Sequence, residues 1–354
     1  MEKLDTKKFL MSICDANGVA GYETEAGELI AAAFKDHGCE VTVDRLGNVI
    51  AKKAGRASGN KAKIAFYAHM DEIGLIVKQL DKNGFVRFTQ IGGYDQRTLL
   101  AQEVIIHGKE KVYGVIGIKP PHLSQGEEGK AVKMHDMLID TGYSEEALAK
   151  LVKVGDIITI KRSAIELKND HIAGKALDDR ACVGVMLECL DNLKDFNHDA
   201  DLYFISSTQE EVGSQGAVVA TYGLEPDMGI VLDVTFAKTP ELKPSQTCDM
   251  GKGPVIEMGP NIHPKVCGLL KDAAKNNGVP FQIDVMTTGS SGTDARVVQI
   301  SRTGVATGLI GLPLKYMHTS VETISMKDVT STAKLLSSFV MGLNGKDWEA
   351  ELCL

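Results

Sequence analysis

Aromatic residues are scarce in this chain, at 5% of 354 residues, with one tryptophan. Positive charge is in deficit: 39 Lys and Arg stand against 47 Asp and Glu, a net charge of −8. That balance argues against nucleic acid or an anionic membrane surface as the main partner. No stretch approaches the roughly 18 consecutive apolar residues of a membrane span. The opening residues, Met1 to Lys8, contain no apolar signal core. Cys-x-x-Cys pairs are absent as well. The seven cysteines are odd in number and scattered, mostly in apolar contexts. Free cysteine there behaves as a small hydrophobe. A disulfide framework is excluded, and a reducing, cytoplasmic compartment is expected. Low-complexity tracts and internal repeats are also missing.

What the chain does have is 44% hydrophobic residues and 36 glycines. That suffices for a large core, and it suits an α/β protein with many tight strand–helix turns. Helical spacing marks residues 1–36, Ala181 to Leu193, Asn261 to Asn277 with Pro264 in its first turn, and Met326 to Leu343. Strand patterns mark Cys39 to Val43, Asn48 to Ala51, Lys63 to His69, Leu202 to Ser206, Met228 to Asp233 and Phe281 to Met286. Between about Leu75 and Lys161 the pattern changes to short strand-like pieces separated by Gly and charged turns. The expected organisation is a layered α/β/α domain with a mixed central sheet, built from residues 1–74 and 164–354. A small β-rich domain, residues 75–163, is inserted into it.

Candidate chemistry stands at the ends of apolar runs. Glu210 and Glu211 follow Asp201-Leu-Tyr-Phe-Ile-Ser-Ser-Thr-Gln209, where two adjacent carboxylates are costly unless a cation offsets them. Both can serve one centre only if the backbone turns, and Gly213 supports a turn. One would bind metal and the other would act as general base. His69 and Asp71 follow another strand. Side chains two apart in an extended segment share a side, which places Asp71 to orient the His69 ring. Asp178 and Asp179 precede Arg180 at the start of a helix. One of the pair can cap the helix while the other faces the pocket. Asp233 ends a very apolar run, and His318 lies in a polar loop. His107, His135, His171, His198 and His263 read as ordinary residues. Asp294 is a candidate substrate-site residue or a turn cap. Nitrogen and oxygen donors without Cys suit two divalent ions, Zn²⁺ or Co²⁺, with Mn²⁺ also admissible. The natural reaction of such a centre is amide hydrolysis by an activated water.

A sugar-cleaving alternative needs two carboxyls facing each other across a glycosidic bond. Adjacent glutamates do not supply that geometry, and the few aromatics offer little stacking surface. A catalytically dead metal-binding homologue is the non-enzymatic alternative, and an intact Glu210 argues against it.

Six stretches, in order along the chain, resemble the M42 family of metallo-aminopeptidases. They are Ala68-His-Met-Asp-Glu-Ile-Gly74, Gly174-Lys-Ala-Leu-Asp-Asp-Arg180, Thr208-Gln-Glu-Glu-Val-Gly213, Leu232-Asp-Val-Thr235, Ser291-Gly-Thr-Asp-Ala295 and Met317-His-Thr-Ser-Val-Glu322. Ile91-Gly-Gly93 and Lys119-Pro-Pro-His122 resemble the family's inserted domain. The resemblance implies that His69 and Asp233 hold one metal, Glu211 and His318 the other, and that Asp178 bridges them. It makes Glu210 the general base and Asp71 the residue orienting His69. It also implies short peptide substrates cut at the N-terminus, a dimerising β domain, and a homo-oligomer that reaches a tetrahedral dodecamer. Ser214-Gln-Gly216 and Ala181-Cys182 depart from the family's usual residues, though neither touches a proposed ligand.

Overall fold

The computed structural model describes residues 4–58, 61–118, 131–286, 291–346 and 351–352. Lys119-Pro-Pro-His122 and Cys353 lie outside the described residues.

Among the described residues, one large mixed sheet of eleven strands organises the fold. Its centre is four mutually parallel strands: β12 (Asp201–Ser207), β3 (Lys63–His69), β13 (Met228–Phe236) and β16 (Ala306–Lys315). Phe66, Ile230 and Ile310, from three of these strands, are fully buried, as expected where helices cover both faces. Antiparallel strands extend both sides. β2 (Val49–Lys53) and β1 (Glu40–Val43) lie beyond β12. Beyond β16 come β17 (Glu322–Ser325), β11 (His171–Gly174) and β10 (Ile165–Leu167). β14 (Val255–Met258) pairs with the middle of β16 and carries β15 (Gln282–Val285) on its other side.

Helices cover both faces. α5 (Gln215–Leu224) and α7 (Ala295–Val298) lie on one. There the Thr221 hydroxyl bonds the Tyr67 hydroxyl, and a Cβ on Gly229 would meet Val298. Ile230 points the other way because side chains alternate along a strand. It packs beside Gly308, where a Cβ would meet Val266 and Leu270 of α6 (Pro264–Asn276). α1 (Thr6–Asp15), α2 (Thr24–Asp36), α4 (Leu177–Leu193) and α8 (Met326–Met341) also belong to the large unit. The fold is layered α/β/α. No helix among the described residues is long and apolar enough to cross a membrane.

Between β3 and β10 the described residues close a six-stranded antiparallel barrel. Its order is β4 (Gly74–Leu80), β5 (Val86–Ile91), β8 (Ile139–Asp140), β7 (Lys111–Ile116), β6 (Glu103–His107) and β9 (Ile157–Ile160). The short helix α3 (Glu145–Leu148) precedes β9. The barrel has a core of its own, with Leu75, Val86, Val104, Ile106, Ile139 and Ile158 all fully buried. Closure removes the open edges that such short strands would otherwise expose.

The described cysteines are free, and all but Cys248 are buried.

Candidate metal centre and active site

The four central strands run parallel, so their carboxyl ends emerge along one edge of the sheet, where open α/β sheets bind ligands. His69 is the last residue of β3 and pairs in register with Ser207, the last residue of β12. Asp233 lies two residues past Val231, which pairs with Tyr67, so it reaches the level of His69. After Ser207 the chain turns through Gln209 (φ 57°) and Gly213 (φ 127°) into α5, and this turn presents Glu210 and Glu211. His318 (φ 60°) follows β16, and Asp178 enters from β11 through the start of α4.

Two groups of ligand atoms form there, each with all members within 4.8 Å of one another: His69, Asp178 and Asp233, and Asp178, Glu211 and His318. Asp178 belongs to both. Its Oδ1 lies 3.1 Å from His69 Nε2, and its Oδ2 lies 3.4 Å from His318 Nε2. The same His318 nitrogen is 3.5 Å from Glu211 Oε2. His69 Nδ1 faces the Asp71 backbone oxygen at 3.1 Å and Asp71 Oδ1 at 3.5 Å. Donation from Nδ1 fixes the ring and leaves the Nε2 lone pair toward the cluster. None of the other described histidines joins either group. His107 bonds Thr159 and His198 bonds the Ala200 carbonyl.

The supports of these groups were only partly expected. Asp71 does more than face His69: its two oxygens accept the backbone N–H groups of Glu210 and Glu211 at 3.0 and 3.1 Å. Glu23 bonds the N–H of Gln209, which ties the start of α2 to the same turn. Glu322 had no assigned role, yet its carboxylate accepts the backbone N–H of Asp178 at 3.1 Å and of His318 at 2.9 Å. One side chain therefore holds two facing segments. Beneath them Lys175 reaches both Glu72 oxygens at 2.8 Å. Arg180, wholly buried, donates to the carbonyls of Met70, Ile13 and Ala16.

Two expectations need correction. Neither Asp178 nor Asp179 caps α4, whose N-terminus has no side-chain cap. The Asp178–Asp179 peptide is cis, and both residues depart from helical angles. Asp179 is fully buried with both oxygens unpartnered among the described residues, and the thiol beside it is that of Cys182. Asp294 is 2% exposed and accepts the Ser207 hydroxyl at 2.6 Å. It is not among the residues that line the cavity where substrate would lie, although Thr293 and Arg296 on either side are.

Electrostatics test whether this set fits divalent cations. Burial pushes Glu210 up to about 7 against the pull of His69, and the like charges of Asp294, Asp71 and Asp178 add to the push. Burial and the Asp178 charge push Glu211 up to about 9. Burial raises Asp233, with Asp178 adding to it, and burial with Asp233 raises Asp179. Burial would raise Asp178 too, but His318 and His69 hold it well below the usual carboxylate range. The site gathers more buried carboxyls than its two imidazoles can balance. Unpartnered buried carboxylates persist as anions only where a cation offsets them. The residues fit such ions, and oxygen and nitrogen donors without sulfur fit Zn²⁺, Co²⁺ or Mn²⁺.

A cavity of about 660 Å³ opens from the cluster, between the ends of β13, β14 and β15 and the His318 turn. From the barrel side, a Cβ on Gly93 would meet His318 Nδ1 at 3.2 Å, so the β5 turn also borders the centre.

Comparison with known proteins agrees with this architecture. The profile of the family described as M42 glutamyl aminopeptidase matches residues 47–335. The lysyl aminopeptidase of Pyrococcus furiosus is 38% identical, covering 96% of this chain and 98% of that protein. Among solved structures, a TET aminopeptidase from a marine-sediment archaeon of the Thaumarchaeota superposes with a TM-score of 0.91 at 31% identity, covering 98% of each chain. The TET1 peptidase of Pyrococcus horikoshii, described as assembling into a tetrahedron or a large octahedral shell, gives 0.83 at 30% identity, covering 95% and 99%.

Proposed function

This chain belongs to the M42 glutamyl aminopeptidase family and is a peptide hydrolase, and from that premise we propose a binuclear aminopeptidase with Glu210 as its general base. The observation that carries this is the pair of ligand groups sharing Asp178. His69 and Asp233 would hold one ion, Glu211 and His318 the other, with Asp178 between them.

When bound, two divalent cations would polarise the scissile carbonyl and make a water acidic enough to lose its proton near neutral pH. Glu210 does not belong to either ligand group, yet it lines the same cavity. Its carboxylate is left to take the water's proton and return it to the leaving amine. Asp71 fixes the backbone of both glutamates and faces His69, so it sets the separation of base from ligands. Glu322 fixes Asp178 against His318.

We further propose that residues 75–163 are an inserted domain that pairs two copies, and that such pairs build a larger homo-oligomer. The barrel's separate core supports this, as does the assembly described for the Pyrococcus horikoshii protein. Short peptides are the expected substrates. Buried free thiols support a cytoplasmic setting.

The test is hydrolysis of aminoacyl-p-nitroanilides. Activity should vanish in EDTA and return with Zn²⁺, Co²⁺ or Mn²⁺. Full turnover by metal-free protein would contradict the proposal.

A further inference from the structure

The cavity beside the metal cluster carries two carboxylates that the proposed chemistry does not use. Glu257 lies on β14 and Asp284 on β15, and the two residues pair directly in register. Like charges directly opposite one another on adjacent strands are destabilising. Asp284 is exposed, but Glu257 is only 8% exposed. Among the described residues no cation eases its charge: burial and Asp284 push Glu257 up to about 7, and the Thr235 hydroxyl acts against them. Arg296, the described cation lining the cavity, is exposed on α7.

Space has been kept for this side chain. A Cβ on Gly311 would come within 3.0 Å of Glu257 Oε1 and 2.8 Å of Thr235 Cγ2. Thr235 follows Asp233 by two residues on β13, about 7 Å along an extended strand. Glu257 thus lies one long side chain away from the candidate metal ligands. Phe236, Met286, Leu309 and Met317 line the cavity with apolar surface. Such surface suits the methylene stem of a side chain whose charge lies at its tip.

We propose that this cavity receives the side chain of the substrate's N-terminal residue, and that Glu257, with Asp284 beside it, selects lysine or arginine there. The inference rests on the aminopeptidase reading. A cationic tip supplies the counter-charge that Glu257 lacks, and an acidic tip would add a third negative charge. An uncharged tip would leave the buried carboxylate unpaired, which a site built to pair penalises.

The experiment uses metal-loaded enzyme with Lys-, Arg-, Leu- and Glu-p-nitroanilide. Lys and Arg substrates should exceed Leu by about tenfold or more in kcat/KM, and the Glu substrate should be the poorest. Glu257→Gln should lower the Lys-to-Leu ratio about tenfold, and Asp284→Asn should lower it less. A wild-type preference for Leu or Glu, or a ratio unchanged in Glu257→Gln, would overturn the assignment. Should no anilide be cleaved, the peptidase reading has failed, and calorimetry with L-lysinamide and L-leucinamide decides the pocket alone. Tighter lysinamide binding supports it; equal or weaker binding overturns it.

Discussion

At the scale of single residues, the proposed mechanism gives the adjacent Glu210 and Glu211 different tasks. The turn sends Glu211 to His318 and leaves Glu210 out of both ligand groups. Glu210→Gln should therefore keep two ions per chain while kcat falls about a hundredfold or more, the range expected of a general base. Glu211→Gln should lose one ion. Metal analysis beside kinetics separates the two, and near-normal turnover by Glu210→Gln would refute the base assignment. Glu257 makes a second prediction, about pH. Its folded pKa near 7 lies above the roughly 4.5 of a free glutamate, so the folded state holds its proton more tightly. Stability is then unaffected below about pH 4.5 and declines as pH rises toward 7. The cost above that is on the order of 3 kcal/mol. Glu257→Gln should melt higher than wild type at pH 8, and the gap should close by pH 4.5. A constant gap across that range would contradict the burial argument. His69, Asp71, Glu210, Glu211, Asp233 and His318 were legible because each ends or follows an apolar run. Glu257 was not, because a single charge inside the short run Val255-Ile-Glu-Met258 resembles an ordinary edge residue. The role of Glu322 was equally hidden, since it acts on backbone N–H groups from segments distant in sequence.

At the scale of elements, the turn between β12 and α5 decides whether the glutamates are aimed. Asn48 accepts the Thr208 N–H at 2.9 Å and donates to the Gly216 carbonyl at 3.0 Å. Gly216 in turn donates to the Thr208 carbonyl at 3.0 Å. A Cβ on Gly216 would fall 2.3 Å from Asn48 Oδ1 and 2.4 Å from the Thr208 carbonyl oxygen, both fixed groups. Gly216→Ala should therefore cost about 1–3 kcal/mol, as overpacking does. It should also lower kcat, because the turn must open. Unchanged melting and unchanged kcat together would show that the turn yields freely. The long helices were readable from periodicity, although α6 starts at Pro264, three residues after the expected Asn261. The start of α4 was not: two acids before Arg180 read as a cap plus a pocket residue, whereas burial leaves Asp179 without a capping contact. Strands β8, β10 and β14 have two to four residues each. That is too short for alternation to stand out, and only their partners reveal them.

At the scale of the whole molecule, the large sheet brings acids from four segments to one edge, and the barrel's β5 turn meets them. Cations that bind the folded chain alone should stabilise it by mass action, about 4 kcal/mol at a thousandfold excess over Kd. EDTA should lower the melting temperature, and an unshifted melt would mean that the cluster holds no ion tightly. The change to short strands after Leu75 made the barrel visible in the sequence. Its closure was not visible, because register depends on contacts between strands far apart in the chain. The central claim, a shared pair of cations, is tested most directly by anomalous diffraction from crystals grown with Zn²⁺ or Co²⁺. The account predicts two peaks roughly 3.5–4 Å apart, one against His69 and Asp233 and the other against Glu211 and His318, with Asp178 touching both. A single peak, or ions bound away from Asp178, would contradict it.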